Sequence, residues 1–270
     1  MTYRDYSHLD CGFVEDGILR ISFTNPGRMN SVTEGQHTEL ARIFRDIDRD
    51  DTVRVALVTG SDGTFSAGGD FDLVQKQIDS WEARVRMARE VRDIVYGVIE
   101  CSKPVVAAVE GTAVGAGLSV ALLADVCVIT PDAKIIDGHT RLGVAAGDHA
   151  VMVWPIACGI AKAKYYLLTC KALSGAEAER SGLVALCVPP EDLHATALKT
   201  AQELAALPAQ ALAWTKHALN GWLRSAGESF DLSLAYELIG GFSGPESKEG
   251  LAALKEKRRP NFPSLTDLAP

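Results

Sequence analysis

The sequence predicts an α/β fold that gives way to a helical C-terminal region. Through the first 190 residues, short β-branched apolar runs alternate with longer stretches of helical periodicity. Beyond Pro189-Pro190 every periodic stretch is helical. Two glycine-rich turns each follow an apolar run, and the second leads straight into a helical segment. The shift at Pro189-Pro190 is the one candidate boundary. It divides the chain into residues 1–190, a core expected to carry the site, and residues 191–270, a helical region. A chain of 270 residues can bury a sizeable core, and no internal repeat or low-complexity linker interrupts it.

The elements follow in chain order. Cys11–Glu15 and Ile18–Phe23 flank Asp16-Gly17, which predicts a hairpin with a type I′ turn. Glu34 to Asp48 is amphipathic, with Leu40, Ile43, Phe44 and Ile47 on one face. Val55–Thr59 reads as a buried strand, and Trp81 to Glu100 as a helix with Ala88, Val91, Val95 and Val98 in its stripe. Strands recur at Val105–Val109, Val126–Thr130 and Leu186–Val188. Ser174 with Glu177 forms a capping box before a short helix. The tail reads as helices over Glu191–Ala206, Pro208–Arg224, Ser229–Gly240 and Glu246–Lys257. Its apolar stripes, such as Phe230, Leu234 and Leu238, suit either intramolecular packing or subunit contact.

Bulk properties narrow the function. A net charge of −8 argues against a nucleic-acid partner. The longest uncharged apolar stretch, Gly111 to Ala124, is too short to span a bilayer, so no membrane partner is expected. Met1-Thr2-Tyr3-Arg4-Asp5 carries no apolar leader core. The six cysteines are scattered without metal-ligand spacing, which predicts buried free thiols, a cytoplasmic setting and no metal site.

The two glycine-rich turns carry the chemistry. They are Phe65-Ser66-Ala67-Gly68-Gly69-Asp70 and Gly111-Thr112-Ala113-Val114-Gly115-Ala116-Gly117-Leu118-Ser119. Small residues let backbone N–H groups approach a ligand, and the second turn adds a helix N-terminus. Facing one pocket, the two would form an oxyanion hole for a carbonyl that becomes an enolate or a tetrahedral oxyanion. With this order and context the chain resembles the crotonase family, also called the enoyl-CoA hydratase/isomerase family. The resemblance runs nearly end to end. It includes Asn25-Pro26-Gly27-Arg28-Met29-Asn30-Ser31, both turns, Ala124-Asp125, the Ser174–Val184 segment, Glu246–Gly250 and Glu256–Phe262.

The resemblance implies a crotonase-type spiral of ββα units with an α-helical C-terminal region that mediates trimer contacts, in a homotrimer or a homohexamer built as a dimer of trimers. It implies an acyl-CoA thioester substrate, with coenzyme A arriving as part of that substrate and no permanently bound cofactor. The oxyanion donors fall on Gly69 and Ala116. Ala67, Asp70 and Phe71 sit where the family lines its nucleotide and pantetheine channel. Arg28 and Lys257, with Arg258 and Arg259, are candidates for phosphate contacts; each is equally readable as a solvated surface charge. The family often has a lysine where this chain has Asp72.

The acid–base half departs from the family. Hydratases of this type use two glutamates. The first position falls on Ser119, three residues after Ala116, and the second falls in the Gly138-His139 pair. Neither is glutamate. His139 stands in as a base, expected to be kept neutral by burial. Asp148, in Gly143–His149, is expected to orient His139, act as the base or attack as a nucleophile; its alternative is a cap on a helix over Ala150 to Cys158. Ser119 reads as space-filling within the binding site. The expected activity is hydration or a double-bond shift on an enoyl-CoA of fatty acid metabolism. The alternatives are another crotonase-type reaction (C–C hydrolysis, thioester hydrolysis, decarboxylation) or a CoA-ester-binding hexamer without catalysis.

Overall fold

The computed structural model describes residues 3–264; Met1, Thr2 and residues 265–270 lie outside the described residues. Strands are numbered along the chain. The larger sheet has the order β1 (Asp10–Glu15), β2 (Ile18–Ser22), β3 (Val55–Thr59), β5 (Val105–Val109), β7 (Val126–Ile129) and β10 (Leu186–Cys187). The smaller has the order β4 (Ser66–Ala67), β6 (Thr112–Val114), β8 (Lys134–Ile136) and β9 (Leu173–Ser174). All neighbours are parallel except the end pairs β1–β2 and β8–β9.

The chain lays one strand in the larger sheet, the next in the smaller, and then a helix, three times over. β3 and β4 lead to helices α2 (Phe71–Asp79) and α3 (Trp81–Glu100). β5 and β6 lead to α4 (Gly115–Leu123), and β7 and β8 to α5 (His139–Leu142) and α6 (Ala150–Cys158). This is the ββα spiral that the family resemblance implied. Helix α1 (Glu34–Asp48) forms as predicted, closed by a Thr33–Gln36 capping box, and buries Leu40, Ile43, Phe44 and Ile47 against α3.

The β3 and β5 runs are continuously apolar because both sheet faces are covered. Ala56 and Val58 join the main core. Val55 and Leu57 point the other way, against Leu193, Ala197 and Ala201 of the Leu193–Ala206 helix. The helical tail also enters the main core. Phe230, Leu234 and Leu238 are buried there, with Phe230 edge-on to Tyr96 at 5.7 Å. These three side chains therefore pack within their own chain. Among the described residues no helix is long and apolar enough to cross a membrane.

Several local expectations change. Asp16-Gly17 does join β1 to β2, but only Gly17 takes a positive φ, of 75°, so the turn is not type I′, which needs both. Ser174 caps the Gly175–Arg180 helix through the Glu177 N–H, but the Glu177 carboxylate turns to Lys162 and Arg180. The predicted Pro208–Arg224 helix breaks at Asn220, whose side chain donates to the Ile99 carbonyl. The one predicted over Ser229–Gly240 runs as an α-helix over Gly227–Ala235 and then widens into a π-helical turn, Tyr236–Gly240.

Candidate active site

Three parallel strand ends build the site. β4 pairs with β6 in register, Ser66 opposite Ala113 and Ala67 opposite Val114, and β6 pairs with β8. Their C-terminal ends therefore deliver three successive turns to one place: Gly68-Gly69, Gly115-Ala116 and Gly138-His139. The first two touch. A Cβ on Gly115 (φ 54°) would meet the Gly68 Cα at 3.2 Å and the Gly69 nitrogen at 3.6 Å. A Cβ on Gly68 (φ 85°) would crowd Val114 at 3.1 Å. Glycine is required at both, by conformation and by contact.

Neither the Gly69 nor the Ala116 N–H is taken by an acceptor among the described residues. Ala116 lies in the first turn of α4, where backbone donors have no intrahelical partner. Both residues border a cavity of about 310 Å³ that also meets Ala67, Phe71, Ser119, His139 and Asp148. The sequence-predicted groups thus converge. Ser119 is buried, and its hydroxyl has no hydrogen-bond partner among the described residues. The cavity continues between α2 and α3 over Leu73, Val74, Met87, Val91 and Ile94, and the tail closes it with Phe242, Leu251 and Leu254.

The remaining predicted binding residues, Asp70, Arg28 and Lys257, are not among those that line this cavity. Asp70 is committed to the fold: its carboxylate caps α2 through the Leu73 N–H and its own N–H donates to Val32. Arg28 is exposed beside the first turn, because residues 29–32 hydrogen-bond along it. Ala67 N–H donates to the Met29 carbonyl, and Val32 N–H to that of Gly68. Lys257 is exposed at the end of the Pro245–Glu256 helix, in left-handed conformation, while Arg258 is held by Glu249 and Glu256.

His139 lies in a cluster that the sequence only partly revealed. Its Nδ1 is 3.0 Å from Asp137 Oδ2, and its backbone N–H reaches Asp137 Oδ1 at 3.3 Å. Its Nε2 faces Asp148 Oδ2 at 3.9 Å and Glu237 Oε1 at 3.7 Å. Burial alone would lower the His139 pKa, but Asp137, Asp148 and Glu237 together raise it well above the ordinary value. This corrects the expectation that burial lowers the pKa of His139: Asp137 and Asp148, with Glu237, outweigh burial and favour the protonated ring.

Asp148 is not a conventional cap. His149 occupies the N-cap position of α6 without a side-chain cap bond. The Asp148 carboxylate accepts from the His149 N–H at 2.5 Å and lies 2.8 Å from its Nδ1. Burial works against ionisation of Asp148, yet His149 and His139 hold its pKa below the usual carboxylate range. Glu237 stands opposite in charge state. Burial, with Asp148 and Asp137 adding to it, pushes its pKa up to about 8 despite His139.

Glu237 and Asp137 were missed in the sequence. Asp137 sits two residues before a singled-out histidine, a spacing that could have flagged it. Glu237 comes from the tail's π-helical turn, a distortion that often marks functional positions. Any side chain at Gly147 would collide with the Glu237 carboxylate. Donor atoms of Asp137, His139 and Asp148 lie within 4.8 Å of one another, a grouping able to hold a metal ion. Arg141, also at the cavity, is turned away onto the Cys170 carbonyl at 2.9 Å.

Comparison with known proteins places this arrangement. Residues 14–264 match the family model described as enoyl-CoA hydratase/isomerase. The chain is 30% identical over 254 residues to 1,2-epoxyphenylacetyl-CoA isomerase of Escherichia coli (strain K12), covering 92% of this chain and 96% of that protein. It is similar to a solved enoyl-CoA hydratase/isomerase from Mycobacterium paratuberculosis, with a TM-score of 0.87, 33% identity, and coverage of 91% of this chain and 98% of that one. A solved enoyl-CoA hydratase from Mycobacterium avium subsp. paratuberculosis K-10 aligns with a TM-score of 0.84 at 28% identity, over 96% and 99% of the two chains.

Proposed function

The chain belongs to the enoyl-CoA hydratase/isomerase, or crotonase, family, and from that premise we propose that it binds an acyl-CoA thioester and shifts the double bond of an enoyl chain. The carbonyl is polarised by the Gly69 and Ala116 N–H groups. One observation carries the reading: these two donors border the same cavity as Asp148 and His139. Paired donors aimed at a developing oxyanion are worth about 10²–10³ in rate for each donor lost. A positioned acid or base adds about 10²–10⁴.

The charge states divide the proton work. Asp148, held ionised, removes the proton from carbon. His139, held as a cation, supplies protons and stabilises the enolate's surroundings, in place of the base role expected of a neutral imidazole. Hydration is the second reading, since relatives carry the hydratase name. It is less favoured because Ser119 and His139 stand where a hydratase of this type would carry its two glutamates. Coenzyme A enters as part of the substrate, with Arg28 and Lys257, both exposed, as its phosphate contacts. The assembly that accompanies this reading is a homotrimer or a dimer of trimers in the cytoplasm. Trp214, Leu219 and Trp222, each more than 60% exposed on the tail, support such a contact surface.

Purified protein offered trans-3-hexenoyl-, crotonyl-, dienoyl- and β-ketoacyl-CoA tests the reading, with products followed by chromatography and mass spectrometry. Interconversion of 3- and 2-hexenoyl-CoA is the expected result. Gain of one water supports hydration instead. Micromolar CoA-ester binding without turnover of any of the four would sink the enzymatic reading.

A further inference from the structure

Proton chemistry on an enoyl chain needs a group that takes a proton and one that returns it. Asp148 and His139 account for the first and for part of the second. Glu237 is unused. Its side chain is 90% buried, and it borders the cavity beside Asp148 and His139. Its Oε2 has no hydrogen-bond partner among the described residues. The tail positions it with a π-helical turn, and the chain keeps Gly147 bare where a side chain would displace it. A carboxyl buried at a reaction cavity costs stability, and its polar neighbours, the Gly147 backbone and the His139 ring at 3.7 Å, offset that cost only in part.

We propose that Glu237 is the proton donor to carbon in this site, and that His139 returns the proton from Asp148 to Glu237 after each turnover. The inference rests on the enoyl-CoA isomerisation reading above. Asp148 takes a proton from one carbon as that C–H bond breaks. The electron pair moves into a dienolate whose oxygen lies against the two N–H groups. The Glu237 O–H bond breaks as its proton forms a C–H bond two carbons along the chain. The site is then left with a neutral Asp148 and an ionised Glu237. His139 Nε2 faces both carboxylates, at 3.9 and 3.7 Å. It gives its proton to Glu237 and takes the one on Asp148, and the starting state returns with no outside proton. The two separations close to hydrogen-bond length in the substrate complex, as such contacts commonly do. Asp137 holds the ring at Nδ1 throughout. A Glu237 pKa of about 8 keeps the donor loaded near neutrality.

The test is Glu237→Gln, an isosteric change, with Glu237→Asp beside it. Each protein is incubated with trans-3-hexenoyl-CoA in D₂O, and NMR follows both deuterium entry at each carbon and conversion to the 2-enoyl isomer. Wild type exchanges and isomerises. Glu237→Gln is expected to keep exchange at the single carbon served by Asp148 and to isomerise about 10²–10⁴-fold more slowly. Glu237→Asp, which retains an acid, recovers part of that loss. Isomerisation by Glu237→Gln at the wild-type rate overturns the proposal and leaves the enzymatic reading standing. So does loss of exchange at both carbons in a folded Gln variant, since a terminal donor is not needed for the first step. A wild-type protein that neither exchanges hydrogen nor interconverts the two isomers removes the underlying reading instead.

Discussion

Replacing Asp137 by Asn tests whether the charge of the His139 ring is set by its neighbours. Asp137 is almost fully buried and meets His139 Nδ1 at 3.0 Å. At that separation two unit charges attract by about 5.5 kcal/mol in an effective dielectric of about 20. Most of this is offset by desolvation, and Asn keeps a neutral hydrogen bond. A charge-assisted hydrogen bond is worth about 1.5–3 kcal/mol, and losing that much preference for the charged ring lowers the His139 pKa. The readout is the imidazole carbon shift of ¹³C-labelled histidine against pH, with His139→Gln to assign the signal. The folded-state pKa is raised, so the cation persists below it and is lost as pH climbs through it. In Asp137→Asn that loss, and the alkaline fall of kcat/KM on trans-3-hexenoyl-CoA, both move to lower pH. An unmoved midpoint means that Asp137 does not set the charge of the ring, and the electrostatic argument for an imidazolium fails.

Two further outcomes follow from the same geometry. Ala116→Pro deletes one N–H at a helix position where proline is tolerated, so the folded variant is expected to lose about 10²–10³ in kcat; unchanged turnover would remove the oxyanion argument. Glu237 keeps its proton to about pH 8 in the folded chain, whereas an unfolded carboxyl loses it near about 4.3. Between those values the native state binds the extra proton, so Glu237 makes stability fall with rising pH by about 1.4 kcal/mol per unit. Glu237→Gln removes that slope, and urea denaturation should show the Gln variant gaining on wild type from about pH 5 to pH 8. Parallel curves would mean Glu237 is not buried as a neutral acid.

What was legible in the sequence depended on distance along the chain. Val55–Thr59, Val105–Val109 and Trp81–Glu100 are stated by local composition and periodicity, and form with those bounds. Gly69 and Ala116 were readable because each turn carries its own signature; their contact follows from the β4–β6 register, which no local pattern encodes. His139 and Asp148 were found by position, but the sign of the His139 shift was misread. Burial is suggested by neighbouring residues in sequence, whereas the charges that outweigh it come partly from Glu237, ninety-eight residues on. Glu237 reads in sequence as one charge among many on a helical tail. Only the π-helical turn and the bare backbone of Gly147 distinguish it. The missed type I′ turn is a smaller matter of the same kind, since Asp16 is free to take either sign of φ.

The tail's share of the cavity wall also orders events in time. Phe71, Leu73, Val91 and Ile94 are made early in synthesis, while Glu237, Phe242, Leu251 and Leu254 follow well over a hundred residues later. At ribosomal speeds of about 5–20 residues per second, the apolar lining waits several seconds or more for its cover. Until Gly250 seats against Leu142 and the Pro245–Glu256 helix lands on α2 and α5, the nascent protein displays a greasy trough with only part of the candidate site in it. Its last stretch is therefore the lock on an otherwise assembled fold, and premature termination there would leave the apolar lining of the cavity uncovered.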